Sequence, residues 1–330
     1  MNLPIKAGII GTGYVANQRA QTLQADSRSE LIVVSGHTLA TTQQFAQTHQ
    51  TLAVDSWQQV VEHPQVDLVF ICTINRDHGA IARATLEAEK HLVIEYPLSL
   101  DPKEAESLIN LAQTRGKLLH VEHLELLGGL HKALRESLPK IGNPFYARYV
   151  TIVPKHPAPK RWSYHPELFG FPFNAALPHI HRLTNLFGEV ASVSCQSRFW
   201  DLSDYYSACL CTAQLRFKNS LIAEVTYGKG DRFWQALRNF EVHGEEATLL
   251  FEGQQGTLIR GEERISIEVG GKRGLFVQDT KMVLEHLING TPLYISPAES
   301  LYALQVAEAA RQSAATGESQ AVPNWSRSES

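Results

Sequence analysis

The stretch that most constrains this chain is its start, from Ile5 to Ala16. An apolar run closing at Ile10 leads directly into Gly11-x-Gly13-x-x-Ala16, after which Asn17 to Gln24 can continue as a helix. In a strand-turn-helix of this kind, Gly11 permits the tight turn, Gly13 lets a pyrophosphate approach the backbone, and Ala16 is small enough for helix-on-strand packing. The helix start, at Tyr14 and Val15, then offers unpaired N–H groups and a partial positive charge to phosphates. A glycine trio also marks ordinary turns. Its weight here comes from being the first turn of an alternating strand-helix series.

That series runs on for about 120 residues. Leu31 to Ser35 is a β-branched apolar run suited to a second parallel strand. It ends in Ser35-Gly36-His37-Thr38, without the acid that an NAD-selective site places there for the ribose 2′-hydroxyl. A carboxylate would repel a 2′-phosphate, so its absence favours NADPH over NADH, with Gly36, His37, Thr38 and the hydroxyls of Thr41 and Thr42 at hand. Helices are predicted over Thr41 to Gln50, Trp57 to Glu62, Ala80 to Ala88 and Pro102 to Thr114. Strands are predicted over Asp67 to Thr73, His91 to Ile94 and Lys117 to Val121. Their carboxyl ends, where ligands meet an open α/β sheet, carry Thr73, Ile74, Asn75 and His78, then Glu95, Tyr96 and Pro97. The right-handed crossover rule turns this alternation into an α/β fold, a doubly wound parallel sheet.

At 330 residues the chain has room for a second domain. From Gly128 to Leu138 it reads as a helix. Phe145 to Val153 then opens a series of strands over Val190 to Trp200, Tyr206 to Phe217, Leu221 to Gly228 and four shorter runs up to Val269, with Asn219-Ser220 as a hairpin turn. Helices return at Gln278 to Asn289 and Pro297 to Thr316. The expected division is 1–125, a dinucleotide-binding domain, 126–317, an α+β domain with a large, mostly antiparallel sheet, and 318–330, a polar flexible tail.

Composition narrows the class further. A net charge of −4 argues against nucleic acid as partner. No run approaches the ~18 apolar residues of a membrane helix, and the start shows no leader pattern, so a cytoplasmic protein is expected. Cys72, Cys195, Cys209 and Cys211 include no CxxC pair and suit buried thiols. The histidines lack a Cys or carboxylate at ligand spacing, so no metal site is expected.

Two charged stretches of the second half stand out. Lys155, His156, Lys160 and Arg161 lie in a proline-punctuated loop followed by Trp162, Tyr164 and Phe169. This composition suits a surface turn equally well as a mobile lid over a flat aromatic substrate carrying carboxylates. Next, Asn174 to Phe187 reads as one helix, on which Asn174, Pro178 and Arg182 share a stripe at i, i+4 spacing. Pro178 must either start that helix or kink it.

The glycine turn, Thr73-x-Asn75-x-x-His78 and Glu95-x-Pro97, in that order, resemble the glucose-fructose oxidoreductase and inositol dehydrogenase family. The resemblance implies an NAD- or NADP-binding Rossmann domain followed by a domain built on a large sheet. It also exposes departures. The sugar dehydrogenases have a lysine in the middle of Glu-x-Pro, where this chain has Tyr96. Counting back from Leu186-Phe187-Gly188, their Asp-x-x-x-His falls near Asn174 and Pro178. Oxidising a hydroxyl needs a base for its proton, and these carriers are missing.

Glu95-Tyr96-Pro97-Leu98 and the run from His120 to Leu127 are instead similar to the biliverdin reductases of this family. Phe145 to Tyr149, the stretch around Arg161-Trp162, Arg198 to Asp201, Tyr227 to Gly230 and Arg273 to Thr280 look like their cyanobacterial type. This resemblance implies NADPH-dependent reduction of biliverdin, a small-molecule substrate, with Arg182 and Tyr96 as catalytic candidates. It places Glu122, His123, Lys155, Arg161, Trp162, Asn174 and Arg182 around the substrate, with Glu122 and Glu125 at the domain junction. A sugar or cyclitol dehydrogenase and a non-catalytic NADPH- or bilin-binding protein are the alternatives. The oligomeric state stays open.

Overall fold

The structure is a computed structural model and describes residues 3–271 and 273–325. The chain divides into two compact units, one made of 1–124 and 273–301, the other of 125–272 and 302–330.

The first unit is built on strands β1 (Ile5–Ile10), β2 (Ser29–Ser35), β3 (Leu52–Ala53), β4 (Leu68–Ile71), β5 (His91–Ile94) and β6 (Leu119–Val121). They form one parallel sheet in the order β3-β2-β1-β4-β5-β6. Between them run helices α1 (Tyr14–Ala25), α2 (Leu39–His49), α3 (Trp57–Val61), α4 (His78–Glu87) and α5 (Pro102–Arg115). The chain order reverses between β1 and β4, and in such sheets ligands bind outside the carboxyl ends at that switch point. The expected parallel sheet is therefore present. It gains β3, two residues too short to leave a periodic signal.

The core of this unit is made by Ile5, Ala7 and Ile9 of β1, Ala16, Ala20 and Leu23 of α1, Phe70 and Val93, closed by Val283 and Leu284 of a late helix. Burying each large aliphatic side chain of this set is worth about 1.5–3 kcal/mol. Because that helix packs on α1, the segment 273–301 belongs with the first unit, whereas the sequence reading places it in 126–317. Its apolar stripe is the physical reason.

In chain order the second unit adds α6 (Gly129–Ser137), β7 (Pro144–Pro154), α7 (Pro166–Phe169), α8 (Pro172–Ala175), α9 (Pro178–Phe187) and the strands β8 (Val190–Trp200), β9 (Ala208–Phe217), β10 (Ile222–Gly230), β11 (Leu237–Gly244), β12 (Thr248–Glu252), β13 (Gln255–Arg260) and β14 (Glu263–Ile267). The late helix α10 (Leu275–Asn289), α11 (Pro297–Thr316) and β15 (Gln320–Ala321) complete the chain. The nine-stranded sheet runs β14-β13-β12-β11-β7-β10-β9-β8-β15 and is antiparallel except for the β10–β7 pair. Asn219-Ser220 does turn β9 into β10, with Ser220 at φ 71°.

Two expectations fail here. The helix read from Asn174 to Phe187 is broken into α8 and α9, because Pro178 has no N–H for residue 174 and can only stand in the first turn of a new helix. Asn174 therefore does not share a helical stripe with Arg182. The stretch from 318 onward, read as a flexible tail, is held as far as it is described. Gln320 and Ala321 pair with Val193 and Ser192, and the Trp325 ring lies parallel to that of Tyr302 at 5.1 Å. Residues 326–330 lie outside the described residues. No described helix is long and apolar enough to cross a membrane.

Candidate active site

In the first unit the candidate residues start from the β1–α1 turn. Gly11 has φ 124°, and a Cβ there would stand 2.3 Å from the Cys72 carbonyl oxygen, so only glycine fits. Gly13, the N-cap of α1, would place a Cβ with nothing within 4 Å, and no side chain caps the helix. Open space beside uncapped N–H groups is what a pyrophosphate requires, and Val15 and Ala16 follow in the first turn. Tyr14 stands out of the protein surface, 73% exposed, and meets Phe276 edge to face at 6.2 Å.

At the end of β2, Gly36 packs against Thr12 and Thr42, and Thr38 caps α2 by accepting the N–H of Thr41. Thr42 is buried and donates to the Thr38 carbonyl, which removes it from the hydroxyls expected to be available. His37 and Thr38 are exposed, with no carboxylate beside them in the chain. These residues fit a dinucleotide, and the missing acid suits one with a 2′-phosphate.

The ends of β4 and β5 carry Thr73, Ile74 and Asn75, then Glu95 and Tyr96. His78, expected among the cofactor contacts, is instead wholly buried. Its Nδ1 stands 2.7 Å from the Pro97 carbonyl and its Nε2 3.3 Å from that of Thr73, and it ties these two strand ends together. Glu122 and His123, expected at the substrate, are likewise interior to this unit. Glu122 accepts from the Leu124 N–H, and burial, then the charge of Glu95, pushes its carboxyl well up. His123 lies parallel to Tyr96, ring centres 5.6 Å apart, and its Nε2 is 2.9 Å from the Ser300 hydroxyl.

In the other unit, a second group of candidate residues lies on α9 and the sheet. Arg182 is fully buried, donates from Nη2 to Glu125 at 2.8 Å and lies over the Tyr149 ring at 5.7 Å. Its Nε and Nη1 have no hydrogen-bond partner among the described residues. Three histidines crowd the same helix region. Burial holds His179 down to about 4, and burial with the Arg182 charge holds His131 and His181 down to about 3. All three are neutral at pH 7. Asn174 is buried and bonded to Glu308, with its Oδ1 left without a partner among the described residues.

Lys155, Arg161 and Trp162 lie exposed on the segment after β7. That segment is docked by Lys229, which burial pushes down to about 8. Its ammonium donates to the Ser163 carbonyl and sits 3.6 Å from the Phe169 ring and 4.7 Å from that of Tyr164. Rings connect this anchor to the helix: Tyr227 meets His179 at 5.2 Å, and His179 stacks on Tyr149 at 5.0 Å. Sequence reading misses the link from Lys229 through Tyr227 and His179 to Tyr149, because each is a common core residue and only the packing of α9 on the sheet brings them together.

Residues 5–123 match the oxidoreductase family with an NAD-binding Rossmann fold, and residues 138–322 match the C-terminal alpha/beta domain of that family. Among solved structures, the chain is 51% identical to a biliverdin reductase from Synechocystis sp. PCC 6803, solved in complex with biliverdin and NADP+, over 94% of this chain and 99% of that one, with a TM-score of 0.93. A levoglucosan dehydrogenase in complex with NADH and levoglucosan shares the fold at a TM-score of 0.83 and 17% identity, over 97% of this chain and 100% of that one. Biliverdin reductase A of Mus musculus is 26% identical over 56% of this chain and 59% of its own length, and that of Homo sapiens 28% identical over 46% and 49%. The chain thus spans only about half the length of those mammalian relatives. With both domains matched, the chain belongs to this NAD-binding Rossmann-fold oxidoreductase family, and within it to the group that includes the Synechocystis biliverdin reductase.

Proposed function

We propose that the protein reduces biliverdin to bilirubin with NADPH. The observation that carries this reading is its 51% identity, over nearly the whole of both chains, to a biliverdin reductase that binds biliverdin and NADP+. Two further observations support it. Tyr96 stands in the middle of Glu95-Tyr96-Pro97, where a sugar dehydrogenase has its lysine, and counting back from Gly188 the acid-base histidine of those enzymes falls near Pro178. Arg182 is a buried cation with two nitrogens unused by the described residues.

When bound, NADPH supplies the hydride for the central methine carbon of the tetrapyrrole. A pyrrolic nitrogen takes up a proton, because hydride adds more easily to a conjugated cation than to the neutral pigment. Arg182 serves this step by holding its positive charge against the substrate and ordering the water that delivers the proton. A guanidinium with a pKa above ~12 is a poor donor in its own right. Tyr96 orients substrate or water through its phenol. Lys155, Arg161 and Trp162 cover the planar pigment and meet its propionates.

The test mixes protein, NADPH and biliverdin and follows the pigment's long-wavelength band. Its loss in step with NADPH consumption is expected, and Arg182→Ala and Tyr96→Phe should each slow it. Full turnover in both variants would overturn the assignment. Oxidation of a polyol by NADP+ with no action on biliverdin would overturn the reaction itself.

A further inference from the structure

We infer that Asp279 is a positioning residue for Tyr96, holding that phenol from two directions. The inference rests on the reading that Tyr96 acts in the reaction.

Asp279, in the second turn of α10, is completely buried and accepts from three donors: Arg19 Nη1, His120 Nε2 at 2.8 Å and the Tyr294 hydroxyl at 2.9 Å. Burial by itself would raise its carboxyl, but Arg19 and His120 outweigh burial and hold it below the usual carboxylate range. It is therefore an acceptor only, and that sets the direction of both arms.

In the first arm, Arg19 gives Nη1 to Asp279 and to the Thr280 hydroxyl, which aims Nη2 at Glu95 Oε1, 3.2 Å away. Glu95 is the residue directly before Tyr96. In the second arm, the Tyr294 hydroxyl donates to Asp279 while its oxygen accepts the backbone N–H of His123 at 3.0 Å. His123 is thereby set with its ring parallel to that of Tyr96, at 15° and 5.6 Å between centres. One carboxylate is thus linked, through Arg19, to the side chain of the residue before Tyr96 and, through Tyr294, to the backbone of His123, whose ring faces Tyr96 and is also held by Ser300.

Asp279→Asn keeps the shape but removes the charge and turns its NH2 either towards Arg19, on the Oδ2 side, or towards His120 and Tyr294, on the Oδ1 side. The expected result is a crystal structure of the NADPH complex in which the Tyr96–His123 stack is lost. Turnover of biliverdin should fall about a hundredfold, the cost of misplacing a reacting group by ~1 Å. KM for NADPH should stay within about twofold, and Asp279→Asn should add nothing to the turnover loss of Tyr96→Phe. Should Asp279→Asn not fold, Tyr294→Phe cuts only the second arm and should displace the His123 ring alone, with a smaller loss of turnover.

An unmoved Tyr96–His123 stack, or losses that multiply in the double variant, would overturn the inference. The two readings fail separately. If Tyr96→Phe turns over normally while the ring moves in Asp279→Asn, the positioning stands and the assigned role of Tyr96 falls. If the ring does not move while Tyr96→Phe is slow, the role of Tyr96 stands and that of Asp279 falls.

Discussion

Among the described residues each unit buries one arginine completely, and the two differ in how far the fold meets their charge. Arg19, in the first unit, has Asp279, Thr280 and Glu95 on its two terminal nitrogens and Phe276 over its plane at 5.2 Å. Arg182, in the second, has Glu125 on one nitrogen and no hydrogen-bond partner among the described residues for the other two. Its neighbours His131 and His181 are held neutral. A cation with two carboxylates against it has its charge met by the frame, even though its Nε has no hydrogen-bond partner among the described residues. A cation buried with unused donors carries an unmet cost that a bound anion or ordered water can offset.

Substitution at Arg19 should give the largest effect and break the comparison on the structural side. Arg19→Met leaves Asp279 buried without its main partner, and urea unfolding should show a loss of about 3–5 kcal/mol. A drop below about 1 kcal/mol would place Arg19 on a par with a surface ion pair.

Arg182→Ala should behave in the contrary way. Turnover should fall by about 10²–10³, the usual cost of removing one preorganised donor, while the midpoint of thermal unfolding changes little. Arg182→Lys should recover only part of the rate, since an ammonium lacks the planar fork. An Arg182→Ala variant that unfolds as readily as Arg19→Met would remove the distinction.

The neutral histidines around Arg182 predict an acid limit. His179 has a folded pKa of about 4 against 6.5 for an ordinary histidine, so the unfolded chain binds more protons between those values. Its contribution to stability is complete above about pH 6.5 and is lost as the pH falls through 4, at most about 3 kcal/mol. Urea midpoints at pH 7 and 4.5 should differ, and His179→Asn should narrow the gap.

The smallest effect sharpens the cofactor half. A Cβ on Gly13 touches nothing and φ is −81°, so Gly13→Ala should fold normally and raise KM for NADPH about tenfold, the scale of one charge-assisted hydrogen bond. Gly11→Ala, colliding with Cys72, should lose stability as well. Equal thermal midpoints for the two variants would contradict this account of the turn.

Much of the site's outline is legible in the order of residues alone. The β1–α1 turn, the strand ends at Thr73 and Glu95, and the absence of an acid after Ser35 are all local features, and local steric rules place them. Arg182 is marked by its i, i+4 spacing from Pro178, which the structure keeps on α9. The break at Pro178 is legible only as an alternative, because a proline can begin a helix as well as bend one. His78, Glu122 and His123 stand out in the sequence as ligand contacts and are buried in the fold, where their polar atoms meet groups of the chain, since a buried polar group and a ligand-facing one have the same letter. What separates the two is whether carbonyls and hydroxyls of the fold already use their polar atoms, as those of Pro97 and Ser300 do.

By itself the sequence determined the alternating architecture, the dinucleotide turn and the replacement of the sugar-handling lysine by Tyr96, because each depends on neighbours within a few residues. Only the tertiary structure decided that Arg19 meets Asp279 across 260 positions of chain, that α10 belongs with the first unit, and that Lys229 docks the segment carrying Arg161. Such pairings are set by which apolar faces cover one another, and the charged groups are then carried into contact by packing that leaves no periodic mark around them.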